Sequence, residues 1–295
     1  LFDTAQAIEW YLEAELGHAI VESGVDRSGL FITSKIHPRD LGEAPTLAAV
    51  SRSFDRLHTS YLDALMLHYP RCFGNLCTDK VDPQGDWRGS WRALENIYER
   101  GLVRSIGVCN FSPEELRELL AFARIGPHIV QSWMDPLQQA RELRTICIGA
   151  GVVFQAYSSL GTQHRTPVNP VLRHPVVMRL AAETGRSSAQ VVLRWALQRE
   201  VVVIPRSSRQ VHMKANLDVL SFQLSPDQLA AIDALDGTDP RVAVPPSPPK
   251  LCADGHADCE RWAMDGECDA NPNFMHLTCA GSCGTCRSNA PHIEL

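Results

Sequence analysis

The chain reads as an α/β protein: a TIM-type (β/α)8 barrel lacking its first strand, followed by a small disulfide-rich C-terminal domain. Three observations predict this. From residue 1 to about residue 236, short apolar runs alternate with segments of helical periodicity, the pattern that builds a parallel sheet. Seven such runs are legible, one short of a closed eightfold ring. Six of the ten cysteines crowd between Cys252 and Cys286, a stretch of different redox character from the rest. At 295 residues and 44% hydrophobic content, one barrel with an appendage fits better than two equal domains.

The elements follow in order. LFDTA looks like the last turn of a strand with something missing upstream, so a signal peptide is neither visible nor excluded. EAELGHAIVESG, from Glu13, has apolar residues at helical spacing and Gly24 as a stop. FITSKI (31–36) is the next strand, and PTLAAVSRSFDRLH the helix after it. LDALMLHYP (62–70) is too brief for a helix and reads as a strand buried on both faces, ending on His68. The long loop from residue 69 to 86 holds Cys72 and Cys77 and reads as a flap beside a site. It leads into the helix SWRALENIYERG.

Strand VRSIGVCNF (103–111) precedes a helix with Ser112 as cap, Pro113 at its first position and Glu115 three residues after the cap. Strand IVQSWMD ends at Asp135, with a helix through LQQARELRTICIGAG. VVFQAYS ends near Ser158, helices follow across 176–200, and VVVIPR ends at Arg206. Two helices, near 210–220 and 225–235, close the barrel region at about residue 236. Residues 237–251 form a proline-rich linker, expected to be extended and stiff. The cysteine-rich domain spans 252–286, and a tail, 287–295, ends in HIEL.

A formal charge of −6 offers nothing for a nucleic-acid partner, and no apolar run approaches a membrane span. Monomeric behaviour and a small-molecule substrate are expected.

Each strand closes on residues able to do chemistry: Asp3 with nearby Tyr11, then Lys35, His68, Asn110, Gln131, Tyr157 and Arg206. In a closed barrel such residues converge on one mouth, however far apart in sequence. DTAQA followed by EAELG, ITSK, LDALMLHYP, IGVCNFS, the Gln131 strand, AYSSLG, and IPRS with Asn216 resemble, in that order, the aldo-keto reductase family. One such motif is weak, but seven in order are specific.

The resemblance implies reduction of aldehydes or ketones by hydride from a nicotinamide cofactor. A tyrosine acts as the acid if a neighbouring cation lowers its pKa. Lys35, held by Asp3, is that cation on this reading, and His68 orients the substrate oxygen. A structural ion pair is the plain alternative for Lys35 and Asp3 alone; with His68 and the other strand ends, the catalytic reading outweighs it. The family's tyrosine spacing falls on Ile8, and counting back from the helix falls on Trp10, because AIEWYLEAELG carries two extra residues. Tyr11 is the phenol in reach and is assigned as proton donor.

No GxGxxG follows a strand, so a Rossmann site is not indicated. The resemblance assigns Asn110 and Gln131 to the carboxamide, Tyr157 to stacking on the nicotinamide, and Ser158, Leu160 and Thr162 to the pyrophosphate. Arg206, Ser207, Arg209 and Asn216 take the adenosine end. Cys109 stands where the family has a serine. Arg206 replaces a lysine, and its guanidinium fork suits a 2′-phosphate, which favours NADPH over NADH. Trp10, Tyr69 and Trp87 are candidate substrate-pocket walls. No metal is expected. A second reading, from another class, is a catalytically inactive barrel serving as a scaffold or binding protein.

CADGHADCERWAMDGECDANPNFMHLTCAGSCGTC resembles the ShK-type toxin domain. The family's pairing is Cys252 with Cys286, Cys259 with Cys279 and Cys268 with Cys283; the sequence alone allows about fifteen. A zinc ribbon is the rival, but only Cys283 and Cys286 have CxxC spacing. The Lys-Tyr pair of channel-blocking members is His276-Leu277 here, which favours a module that binds a protein or glycan. HIEL resembles the K-D-E-L retention signals and, with a disulfide domain, favours the endoplasmic reticulum lumen or secretory pathway over the cytoplasm. Asn110-Phe111-Ser112 is a glycosylation sequon, and a glycan there excludes the nicotinamide.

Overall fold

A computed structural model describes residues 1–72, 77, 86–238, 259–264 and 282. The chain forms two compact units, Leu1–Ala243 and Val244–Leu295.

The larger unit carries seven parallel strands in the order of the sequence: β1 (Phe2–Asp3), β2 (Ile32–Ile36), β3 (Ala64–Leu67), β4 (Ile106–Cys109), β5 (Ile129–Trp133), β6 (Val153–Tyr157) and β7 (Val202–Val203). Sequential parallel pairing needs a crossover after each strand. Helices α1 (Glu13–Ser23), α2 (Glu43–Arg56), α3 (Trp87–Glu99), α4 (Pro113–Phe122), α5 (Arg141–Ala150), then α6 (Pro175–Thr184) with α7 (Ser188–Gln198), supply these crossovers. Helix α8 (Gln210–Leu217) and α9 (Pro226–Asp233) follow β7. The expected Ser112 cap is present as a capping box, with the Ser112 and Glu115 side chains each taking the other's backbone N–H.

The sheet curls back on itself. Strands β1 and β5 lie four places apart, which in a flat sheet is ~19 Å. Yet Gln131 Nε2 of β5 donates to Asp3 Oδ1 of β1 at 2.9 Å. Crossing half a turn in four steps is the curvature of an eightfold ring, and seven strands are present. This is a TIM barrel short of one strand. The open place lies between β1 and β7, where Leu1 and Phe2 are about half exposed and α8 buries no residue.

All of β2, β3 and β4 is buried, as the apolar runs require. The expected strand through Arg206 is shorter, because β7 ends at Val203 and Pro205 has no N–H to continue a ladder.

Candidate active site

The register of the first three strands brings three chemical residues to one end. Asp3 closes β1 opposite Thr33, and Lys35 sits opposite Met66, two residues before His68. Lys35 is fully buried, and its Nζ donates to Asp3 Oδ2 at 2.6 Å and to the Thr4 carbonyl at 3.1 Å. Burial works against the ammonium, but the Asp3 carboxylate and the nearby phenol outweigh it and hold the Lys35 pKa above its usual value.

The two extra residues after Ala7 are absorbed in a turn, where the N–H groups of Trp10 and Tyr11 both reach the Ala7 carbonyl. Ile8, the position of the ordinary spacing, is 70% exposed on the outside of that turn. Tyr11 is carried inward instead. Its hydroxyl lies 3.4 Å from Lys35 Nζ, and its ring meets the His68 ring edge-on at 5.8 Å. Burial raises the Tyr11 pKa more than Lys35 lowers it, so the expected net lowering by the cation does not appear. Burial and the Lys35 charge press His68 down to about 3, and its buried Nδ1 has no hydrogen-bond partner among the described residues.

Trp10 stands edge-on to His68 at 5.9 Å, and the Tyr69 ring stacks on the imidazole at 4.8 Å. These two rings flank His68. Trp87 is 6% exposed and packs edge-on against Phe111 and Phe122 in the core. It belongs, with Trp91, to the buried face of α3.

Asn110 is the second centre of the mouth. Its backbone is left-handed, with φ 61°, and its Nδ2 donates to the His68 carbonyl at 3.0 Å and to Cys109 Sγ at 3.2 Å. The Tyr157 hydroxyl donates to Asn110 Oδ1 at 2.8 Å. Gln131 spends both amide donors inside the barrel, on Asp3 and on Gln155 Oε1 at 2.7 Å, so it also holds the Asp3 carboxylate. Gln155, and the Gln6, His37 and Arg39 group beyond β2, carry no motif; only their two-residue periodicity or strand-end position marks them.

Ser158, at φ 53°, opens the β6 loop that places half-buried Leu160 and exposed Thr162. The loop is seated by His164 Nε2 against Asp135 Oδ2 at 2.9 Å. Gly161 at φ 84° has no room for a side chain, since a Cβ there would stand 2.6 Å from Val171. Beyond β7, Arg206 and Arg209 are exposed, Ser207 and Asn216 half-buried, and neither arginine has an ion pair among the described residues. The Arg209 N–H donates to Ser207 Oγ at 3.1 Å.

Comparison with protein families matches residues 1–237 to the Aldo/keto reductase family. The chain belongs to that family.

An aldo-keto reductase of Mycolicibacterium vanbaalenii is 39% identical over 236 residues, 80% of this chain and 78% of the relative. The glyoxal reductase of Bacillus subtilis is 39% identical over 239 residues, 81% and 79% of the two chains. Among solved structures, an aldo-keto reductase of the silkworm Bombyx mori in complex with NADP superposes with a TM-score of 0.72, at 27% identity over 80% of this chain and 78% of that one. The chain is thus an oxidoreductase of the aldo/keto reductase type.

Residues 251–286 match the ShK domain-like family. Of that segment, Cys259 is described; it opens α10 (Cys259–Met264) and is disulfide-bonded. Cys252, Cys268, Cys279, Cys283 and Cys286, the linker beyond residue 238 and the HIEL tail lie outside the described residues. In the loop after β3, Cys72 and Cys77 form a disulfide with a Cα–Cα separation of 5.8 Å.

Proposed function

We propose that this reductase converts aldehydes or ketones to alcohols with NADPH as hydride donor and Tyr11 as proton donor. The approach of the Tyr11 hydroxyl to the buried Lys35 ammonium, beside a neutral His68, carries this reading.

The mouth suits a nicotinamide cofactor on its own geometry. Asn110 and Ser158 both adopt left-handed backbones at the rim, a conformation that costs energy and concentrates at binding sites. Asn110 and Tyr157 are locked to each other, giving a polar amide beside a flat ring. Arg206 and Arg209 offer guanidinium groups with no ion pair among the described residues, which favours a 2′-phosphate and hence NADPH over NADH. When bound, NADPH supplies the hydride.

The chain's own residues supply the proton. Burial keeps Tyr11 protonated and so able to donate, while Lys35 stabilises the phenolate it leaves behind. Asp3, fixed by Gln131, keeps the ammonium in place and charged. Neutral His68 orients the carbonyl oxygen, and Trp10 and Tyr69 hold the apolar part of the substrate.

A secretory or endoplasmic reticulum location is part of this reading, supported by the Cys72–Cys77 disulfide and by Cys259 in a disulfide. The ShK-like segment serves as a module for a protein or glycan partner, with the three pairings of its family.

Fluorescence titration with NADPH, then turnover of a generic aldehyde, tests the proposal. Tyr11→Phe is expected to bind NADPH within twofold of wild type and to lose turnover at least a hundredfold. Binding without turnover in the wild type overturns the enzymatic reading in favour of a scaffold, and full turnover in Tyr11→Phe overturns the assignment of the acid.

A further inference from the structure

The turn that delivers Tyr11 is tied down at its tip. Glu9, two residues before Tyr11, accepts from Arg39 NH2 at 3.1 Å. Arg39 is itself seated on a rigid base. Its Nε and its backbone N–H both donate to Nδ1 of His37, at 3.0 and 3.1 Å. His37 is 1% exposed, follows β2 directly, and donates its backbone N–H to Gln6 Oε1 at 3.2 Å. Around the other ring nitrogen, His37 Nε2 lies 3.4 Å from Arg39 Nη2 and 3.8 Å from Glu9 Oε1, so the imidazole touches both members of the pair. Gln6 anchors the root of the same turn through Ala49 and Ser53, both at 2.8 Å.

We infer that Arg39 and Glu9 are positioning residues that hold the lengthened turn so that Tyr11 reaches Lys35. An exposed ion pair contributes little stability, in the range of ~0–1 kcal/mol. Its effect here is geometric. The turn 7–11 has one internal anchor for Trp10 and Tyr11, the Ala7 carbonyl, and the 3.4 Å separation of Tyr11 from Lys35 leaves little slack. Released at Glu9, the turn carries the phenol outward with it, and displacements of about 1 Å can cost catalysis up to a hundredfold. Trp10 rides on the same turn, so aldehyde binding weakens together with proton transfer.

The inference rests on the reading that Tyr11 is the acid. Glu9→Gln, Arg39→Gln and the double variant are compared with Tyr11→Phe in steady-state turnover of an aldehyde with NADPH, with urea midpoints as a folding control. Each single variant is expected to lower kcat about tenfold, to raise KM for the aldehyde, and to leave the NADPH Kd within twofold. The double variant is expected to match the singles, because either one opens the clamp, and Arg39→Lys to recover part of kcat. Inactive Tyr11→Phe alongside clamp variants within twofold of wild-type kcat overturns the clamp alone, as do additive losses in the double variant. Active Tyr11→Phe overturns both readings together.

Discussion

Tyr11 and His68 meet edge-on in the mouth, and burial keeps both uncharged near neutral pH by moving their pKa values in opposite directions, the phenol up and the imidazole down to about 3. His68 therefore does not titrate between pH 5 and 8, and kcat is expected to show no inflection from it in that range. Its linkage to stability has a definite sign. Between pH 3 and 6.5 the unfolded chain binds a proton that the folded chain refuses, so stability falls as pH falls through that window. The slope from this group is about 1.4 kcal/mol per pH unit, and it is expected to flatten in His68→Gln when urea midpoints at pH 5 and 7 are compared. Cys109 is likewise held as a thiol, pushed up to about 12 by burial, and bonds Gln131 Oε1 at 3.4 Å. A hydroxyl can make the same contact. Cys109→Ser is expected to keep kcat within about threefold of wild type.

At the scale of elements, the chemistry depends on how strand starts are pinned as well as strand ends. Asp63, buried before β3, accepts from Arg27 and Arg104 at 2.9 and 2.8 Å and from the Ile32 N–H at 3.0 Å. It thus ties the start of β2 to β3 at the end away from the mouth. Asp63→Ala leaves the buried Ile32 N–H without its acceptor, while Arg27 keeps Thr59, Leu30 and Tyr61, and is expected to cost about 2 kcal/mol in chemical denaturation. At the mouth, both Asn110 Nδ2 donors are already engaged, by His68 and Cys109, which argues against glycan attachment to the sequon. Peptide mapping of secreted material is expected to find Asn110 unmodified. A glycopeptide there would contradict cofactor binding by that fraction.

Over the whole molecule, the cysteines divide by environment. Cys109 and Cys147 are buried free thiols in the barrel, whereas Cys72, Cys77 and Cys259 are in disulfides. With the ShK-type pairing complete, denatured but unreduced protein is expected to titrate two thiols per chain of its ten cysteines. Eight would mean a reduced tail and a different compartment. Leu1 and Phe2, at the β1 edge of the open place in the ring, are exposed apolar residues that belong to this scale as well.

The alternation of short strands and helices, the Ser112 cap, the cysteine cluster and the polar strand ends were legible because each is written among neighbours in sequence. A period, a cap or a motif needs no knowledge of the distant chain. The place of Trp87 in the core was not legible in this way, since local spacing cannot tell a pocket wall from a core face. Whether Tyr11 arrives at Lys35, which donors hold Asp3, and which way burial drives the phenol were decided only in three dimensions. Those depend on a ring that brings residues 3 and 131 within 2.9 Å, and on a turn whose length is absorbed by contacts to Arg39 and Ala7. Chain order ranks strands around a circle; only the closed curvature determines what meets across it.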